Sequence, residues 1–220
     1  MANTETQDAS NAARNVREYL GMTGSFMHHD TGTATNGADM ATKKQQSASA
    51  PVRLRRMYID CRYGQLHLTT AYPSSGGFDE ASPIVFLHAD EGSGADFSPC
   101  AAILGADRSI YAPDLPGSGG SDSPKSRLAV AGIALAIADL FDQLRLRRVD
   151  LIGCGRGALV AFELATSQPK VVRKLVVAGT QQPSTAIAQP MLQLSPDPRR
   201  ILQGPADAVV REVRAFLDRI

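Results

Sequence analysis

Leu151-Ile152-Gly153-Cys154-Gly155-Arg156-Gly157 decides the fold of this chain. Val149-Asp150-Leu151-Ile152 is a short apolar run of the kind a strand makes when both its faces are covered, and Ala158 to Ser167 reads as a helix. No linker separates them. Glycines two before and two after a central residue are what a strained strand-turn-helix requires. Such a turn holds its central side chain up above the helix N-terminus, where a Ser, Cys or Asp can attack a carbonyl or alkyl carbon. The central residue here is Gly155, which has no side chain.

Upstream of this turn the sequence alternates strands and helices. Met57-Tyr58-Ile59-Asp60-Cys61 and Gln65-Leu66-His67-Leu68-Thr69-Thr70 flank Arg62-Tyr63-Gly64, a pattern that predicts a β-hairpin. Ser82 to His88 is a continuous apolar strand that runs into the small-residue loop 88 to 94. Arg108 to Asp114 repeats the pattern and empties into Leu115-Pro116-Gly117-Ser118-Gly119-Gly120-Ser121-Asp122, a sharply turning loop. Leu128, Val130, Ile133, Ile137, Leu140, Phe141 and Leu144 form one helical face across 127 to 145, with Arg145, Arg147 and Arg148 expected at its C-terminal end to suit the helix dipole. Arg173 to Ala178 is a further strand. Strands alternating with helices predict an α/β fold with a mostly parallel sheet and right-handed crossovers. In such a sheet the reactive groups sit on loops leaving the strands' C-terminal ends, here 88 to 94, 114 to 122 and 153 to 157.

Three blocks of the sequence are similar to the α/β-hydrolase superfamily, in the branch of esterases, epoxide hydrolases and haloalkane dehalogenases. Pro83 to Ala89 resembles the strand that ends in His-Gly, Pro113 to Asp122 the Asp-x-x-Gly-x-Gly-x-Ser loop, and Leu151 to Gly157 the nucleophile elbow. The resemblance covers about residues 54 to 180 and implies a hydrolase by descent. The departures are equally specific. Gly155 stands where the resemblance places a nucleophile, and Ala89 where it places a glycine beside the oxyanion hole. Its base is a histidine after the last strand, yet all four histidines here (His28, His29, His67, His88) precede the elbow. His88 resembles a histidine that shapes the oxyanion loop, and a structural role is expected for it.

Towards the C-terminus, 205 to 217 is similar to the superfamily's final helix, with Val209, Val213, Phe216 and Leu217 on one face. Met191 to Leu194 then reads as a remnant of the last strand, with Pro196 or Asp197 near the place of the histidine. On this alignment the cap and part of the C-terminal sheet are missing, which is preferred to a reading of 181 to 220 as the start of a cap.

The expected domain is 51 to 220. Residues 1 to 50 hold Val16 and Leu20 as their only large aliphatics, which predicts a disordered arm. Its Met27-His28-His29-Asp30 lacks a third ligand at metal-site spacing and is read as loop. With 23 Lys plus Arg against 22 Asp plus Glu, the 220-residue chain carries no field that singles out nucleic acid or anionic membrane. Cys61, Cys100 and Cys154 are unpaired in number and widely spaced, which points to a reducing, cytoplasmic setting. Neither a metal nor a cofactor is called for.

Two functions remain from the residues. In one, the domain binds a small ligand or a partner at the elbow's mouth without chemistry, through a pocket of His88, Ala89, Asp90 and Arg156; Arg156 and the N–H of Asp90 would favour an anion. In the other, Cys154 is the nucleophile of an atypical esterase or thioesterase. Asp90, Glu91 and Asp114 line the same end and are read as loop acids rather than as an acid–base pair. A homodimer by strand pairing at a free sheet edge is a further expectation.

Overall fold

The computed structural model describes residues 52–73, 81–180, 186–194 and 206–219. The expected arm and its histidines, and Pro196 and Asp197, lie outside the described residues.

β1 (Arg53–Cys61) and β2 (Gly64–Tyr72) form the expected hairpin, with Cys61 opposite Gly64 across the turn. β3 (Ile84–Leu87), β4 (Ile110–Pro113), β5 (Val149–Cys154), β6 (Val172–Ala178) and β7 (Met191–Gln193) complete a seven-stranded sheet in the order β1-β2-β4-β3-β5-β6-β7. Only β1 and β2 run antiparallel to their neighbours; β4, β3, β5, β6 and β7 are mutually parallel. The predicted last strand is therefore present as three residues paired with Leu175–Val177 of β6.

Among the described residues four α-helices cover the sheet: α1 (Ser98–Leu104), α2 (Val130–Gln143), α3 (Arg156–Ser167) and α4 (Ala206–Leu217). Strand alternation assigns them to faces. Val85, Leu87, Leu151, Leu175 and Val177 point to one side and pack with Ile133, Ile137, Leu140 and Phe141 of α2 and the small and aliphatic residues of α3. Ile84, Phe86, Ile152 and Val176 point to the other, where Phe97, Leu104, Val210, Val213 and Leu217 meet them. The buried face of α4 thus includes Val210, with Val209 and Phe216 only partly covered, a correction to the predicted stripe. The sequence pattern missed α1. Its signals are a Ser93–Asp96 capping box over a short 3₁₀ turn, Gly94–Phe97, and a proline in the first turn of the helix.

The arginines after α2 are also placed differently than expected. The helix stops at Gln143, and Arg145 adopts a left-handed backbone with φ of 53°. The Leu146 N–H donates to Phe141 O at 2.8 Å and the Arg145 N–H to Asp142 O at 3.1 Å, the bonds of a Schellman cap. Carbonyls at the helix end are satisfied by the turning backbone, and Arg147 and Arg148 lie beyond it on the way to β5.

At the N-terminal end of the sheet, buried Asp150 receives two hydrogen bonds from Arg173, one of them at 2.8 Å. Desolvation nevertheless raises the Asp150 pKa against the pull of Arg173. Lys174 Nζ donates to Phe216 O at 3.0 Å and Leu217 O at 3.2 Å, so a cation closes the C-terminus of α4. A cleft of about 730 Å³ opens here, but Arg173 and Lys174 in its wall are already bonded to the protein.

Candidate active site

The elbow lies where β5 ends against α3. Gly155 has φ of 52° and ψ of −116°, its N–H donates to Ala178 O at 2.9 Å, and its carbonyl begins α3 by accepting from Ala158 N at 3.1 Å. A left-handed apex of this kind strains any residue with a Cβ. The flanking glycines are required by contact: a Cβ on Gly157 would lie 2.1 Å from Leu87 O, and one on Gly153 2.7 Å from the Ala158 Cα. Spacing in the sequence is thus explained by β5 and α3 packing almost backbone to backbone beside β3.

The apex itself is crowded from one side. A Cβ on Gly155 would meet the Ala89 Cβ at 3.2 Å, closer than ordinary van der Waals contact. A methyl group beside the elbow occupies space that a side chain at 155 would need. The two departures from the superfamily pattern are thus in contact range of each other.

His88 is fully buried and its ring is spent on backbone. Leu115 N–H donates to Nε2 at 2.8 Å, so Nε2 is unprotonated and Nδ1 carries the proton that it donates to Ala89 O at 2.6 Å. Burial lowers the His88 pKa, only partly opposed by the bond to Ala89 O. The ring pins the loop after β3 to the loop after β4, as expected of a structural histidine, and has no free nitrogen for proton transfer.

Asp114 turns inward rather than lining the mouth. It accepts from Gly94 N at 2.6 Å and Gly120 N at 2.7 Å, and pairs with His67 Nδ1 at 2.9 Å. Ser121 Oγ donates to the Asp114 carbonyl at 2.7 Å and accepts from His67 N at 2.9 Å. These contacts fold the glycine-rich loop back onto β2. The sequence pattern did not join His67 to Asp114; the strand register does, since Leu68 lies opposite Pro113. Asp90 and Glu91 are exposed, and Asp90 makes only a loose contact of 3.4 Å with Arg156.

Cys154 sits beneath the elbow rather than at its apex. Its side chain is fully buried on the α1 and α4 face, and burial pushes the thiol up to about 12. Arg156, at the start of α3, spans the mouth and donates to Leu128 O at 2.6 Å. Beside it a cleft of about 470 Å³ runs along the segment from Pro116 to Leu128. Lys125 and Arg127 in its wall were not singled out from the sequence.

Fold and site together define a hydrolase scaffold: a mostly parallel sheet with an antiparallel start, helices on both faces, and a strained glycine-flanked turn at the C-terminal end of a central strand. Residues 84–219 match the family model described as the alpha/beta hydrolase family, and the chain belongs to that family. It is 32% identical over 107 residues to a poly(3-hydroxyalkanoate) depolymerase of Ectopseudomonas oleovorans, across 48% of this chain and 38% of that protein. An epoxide hydrolase, CorEH, superposes with a TM-score of 0.52 at 23% identity over 60% of this chain and 47% of its own, a likeness of fold alone. A serine-to-glycine mutant of the N-acyl homoserine lactonase AidH, complexed with N-hexanoyl homoserine lactone, superposes with a TM-score of 0.51 at 25% identity, covering 57% and 45% of the two chains. The chain spans less than half the length of each.

Among the described residues no helix is long and apolar enough to cross a membrane.

Proposed function

We propose that this chain is a hydrolase-fold protein that binds a small ligand at the mouth of its elbow and does not turn it over. The observation that carries the reading is the apex: Gly155 offers no attacking atom, and Ala89 fills the space beside it. The surrounding groups agree with this. His88 is held neutral between two backbone partners, Asp114 is consumed by loop contacts, and Cys154 is buried with a high pKa. A positioned nucleophile and a base that can reach it are the minimum for acyl transfer, and neither is formed by these side chains. The lactonase mutant named above supports the binding half, because a glycine-for-serine form of the same fold was complexed with an acyl lactone.

Covalent trapping tests the reading. Folded protein is incubated with p-nitrophenyl acetate and with a fluorophosphonate, and its intact mass is followed. No stoichiometric adduct is expected. Rapid one-to-one acylation mapped to Cys154, or to any residue of the loops around Gly155, would contradict it.

A further inference from the structure

We propose that the ligand is a small organic monocarboxylate, held in the cleft between the Pro116–Leu128 segment and Arg156 with its charge toward Lys125 and Arg127. The proposal rests on the binding reading above and names the chemical class that reading leaves open.

Charge is the first argument. Three cations, Lys125, Arg127 and Arg156, border the cleft against one carboxylate, Asp90, in a chain whose formal net charge is only +1. Arg156 is braced by its bond to Leu128 O and is kept across the mouth. Lys125 and Arg127, by contrast, pair with no described residue, so their charges are free to meet a ligand. The segment between them adds potential donors: no described group accepts the N–H of Lys125, Ser126 or Arg127, and Ser118, Ser123 and Ser126 are among the residues lining the same cavity. Cations beside N–H and O–H donors that no protein group occupies favour an anion over a neutral or cationic guest.

Shape and the single acid narrow the class. Leu128 gives the mostly polar cleft an apolar contact, and about 470 Å³ is the size of a small-molecule site. Asp90 stands at the same mouth and opposes a second negative charge on the guest. An acyl chain ending in one carboxylate satisfies both features, whereas inorganic phosphate uses only the rim. By charge alone, the acid half of an ester is then the better guest than the neutral ester itself.

The test is a titration of the whole chain, followed by amide chemical shifts, with hexanoate, hexanamide and inorganic phosphate. The expected result is saturable hexanoate binding with shifts at 116–128 and 156, weakened by added salt, and at least about tenfold weaker in Lys125→Gln/Arg127→Gln. Both residues are exposed, so the variant is expected to keep the wild-type melting curve, and an unchanged melt certifies the comparison. Hexanamide is expected to bind more weakly than hexanoate by a similar factor. Equal binding of hexanoate and hexanamide, a double variant that binds as wild type, no hexanoate shifts, or phosphate displacing hexanoate at lower concentration would each overturn the carboxylate assignment. Hydrolysis of a hexanoate ester is the separate outcome that would overturn the non-catalytic reading, and the salt and variant data would still decide the ligand's charge.

Discussion

Gly155 and Ala89 are best understood as a pair. A side chain at 155 must accept φ of 52° and also displace the Ala89 methyl, which its Cβ would approach to 3.2 Å. Gly155→Ser is therefore expected to lower stability by about 1–3 kcal/mol, the range for a residue held in a sparsely populated backbone region. Ala89→Gly in the same chain removes the contact but not the backbone strain, so it should recover part of that loss. Urea denaturation of the two variants checks this, and a double variant no more stable than the single would show that the Ala89 methyl does not oppose a side chain at 155. Asp114 is the other residue with a defined cost. Asp114→Ala leaves two buried or half-buried N–H groups and His67 without their acceptor, and a loss of about 3 kcal/mol or more is expected by the same measurement. The sequence motif identified Gly155 and Asp114 as special but not what each touches, because a pattern along the chain carries no information on which loops close over one another.

At the level of elements, periodicity located the hairpin, the parallel strands, α2, α3 and the final helix, since each presents its apolar residues at the repeat its geometry demands. The three-residue β7 was legible only from its place before α4, not from its own pattern. The 3₁₀ turn and α1 were missed because Ser93 to Leu104 is short and mixes glycine, proline and alanine, which gives no period to read. The end of α2 differs for another reason: a run of basic residues reads as the last turn of a helix, whereas the chain leaves through a Schellman cap with Arg145 left-handed. That position is one that glycine occupies without a Cβ penalty. Arg145→Gly should raise stability by about 1 kcal/mol, read from the denaturation midpoint at unchanged m-value; a lower midpoint would mean that the arginine side chain contributes more than its backbone costs.

For the molecule as a whole, the loops at the C-terminal end of the sheet are tied by a histidine that folding requires to be neutral. Burial holds the His88 pKa below its unfolded value near 6.5, so the unfolded chain binds a proton there more readily than the folded one. The sign follows from linkage. The contribution of His88 is fully present above about pH 6.5 and is lost as pH falls from there through the depressed folded value. Asp139, held below the usual carboxylate range by Arg62, adds a loss of stability at lower pH, while Asp150, raised by burial, acts in the opposite sense. The comparison that isolates the ring is therefore His88→Gln, which should be less stable at pH 7 yet lose less stability between about pH 6.5 and 5. Parallel slopes for the two proteins over that window would remove His88 as the source.

Whether this hydrolase fold carries hydrolase chemistry is read most directly from steady-state turnover. Purified protein, shown folded by circular dichroism, is assayed beside Cys154→Ala on short-chain p-nitrophenyl esters and on thioesters. Equal rates at the level of buffer are predicted for both. Turnover above buffer in the wild type that disappears in Cys154→Ala would contradict the account and make the buried thiol a nucleophile after all.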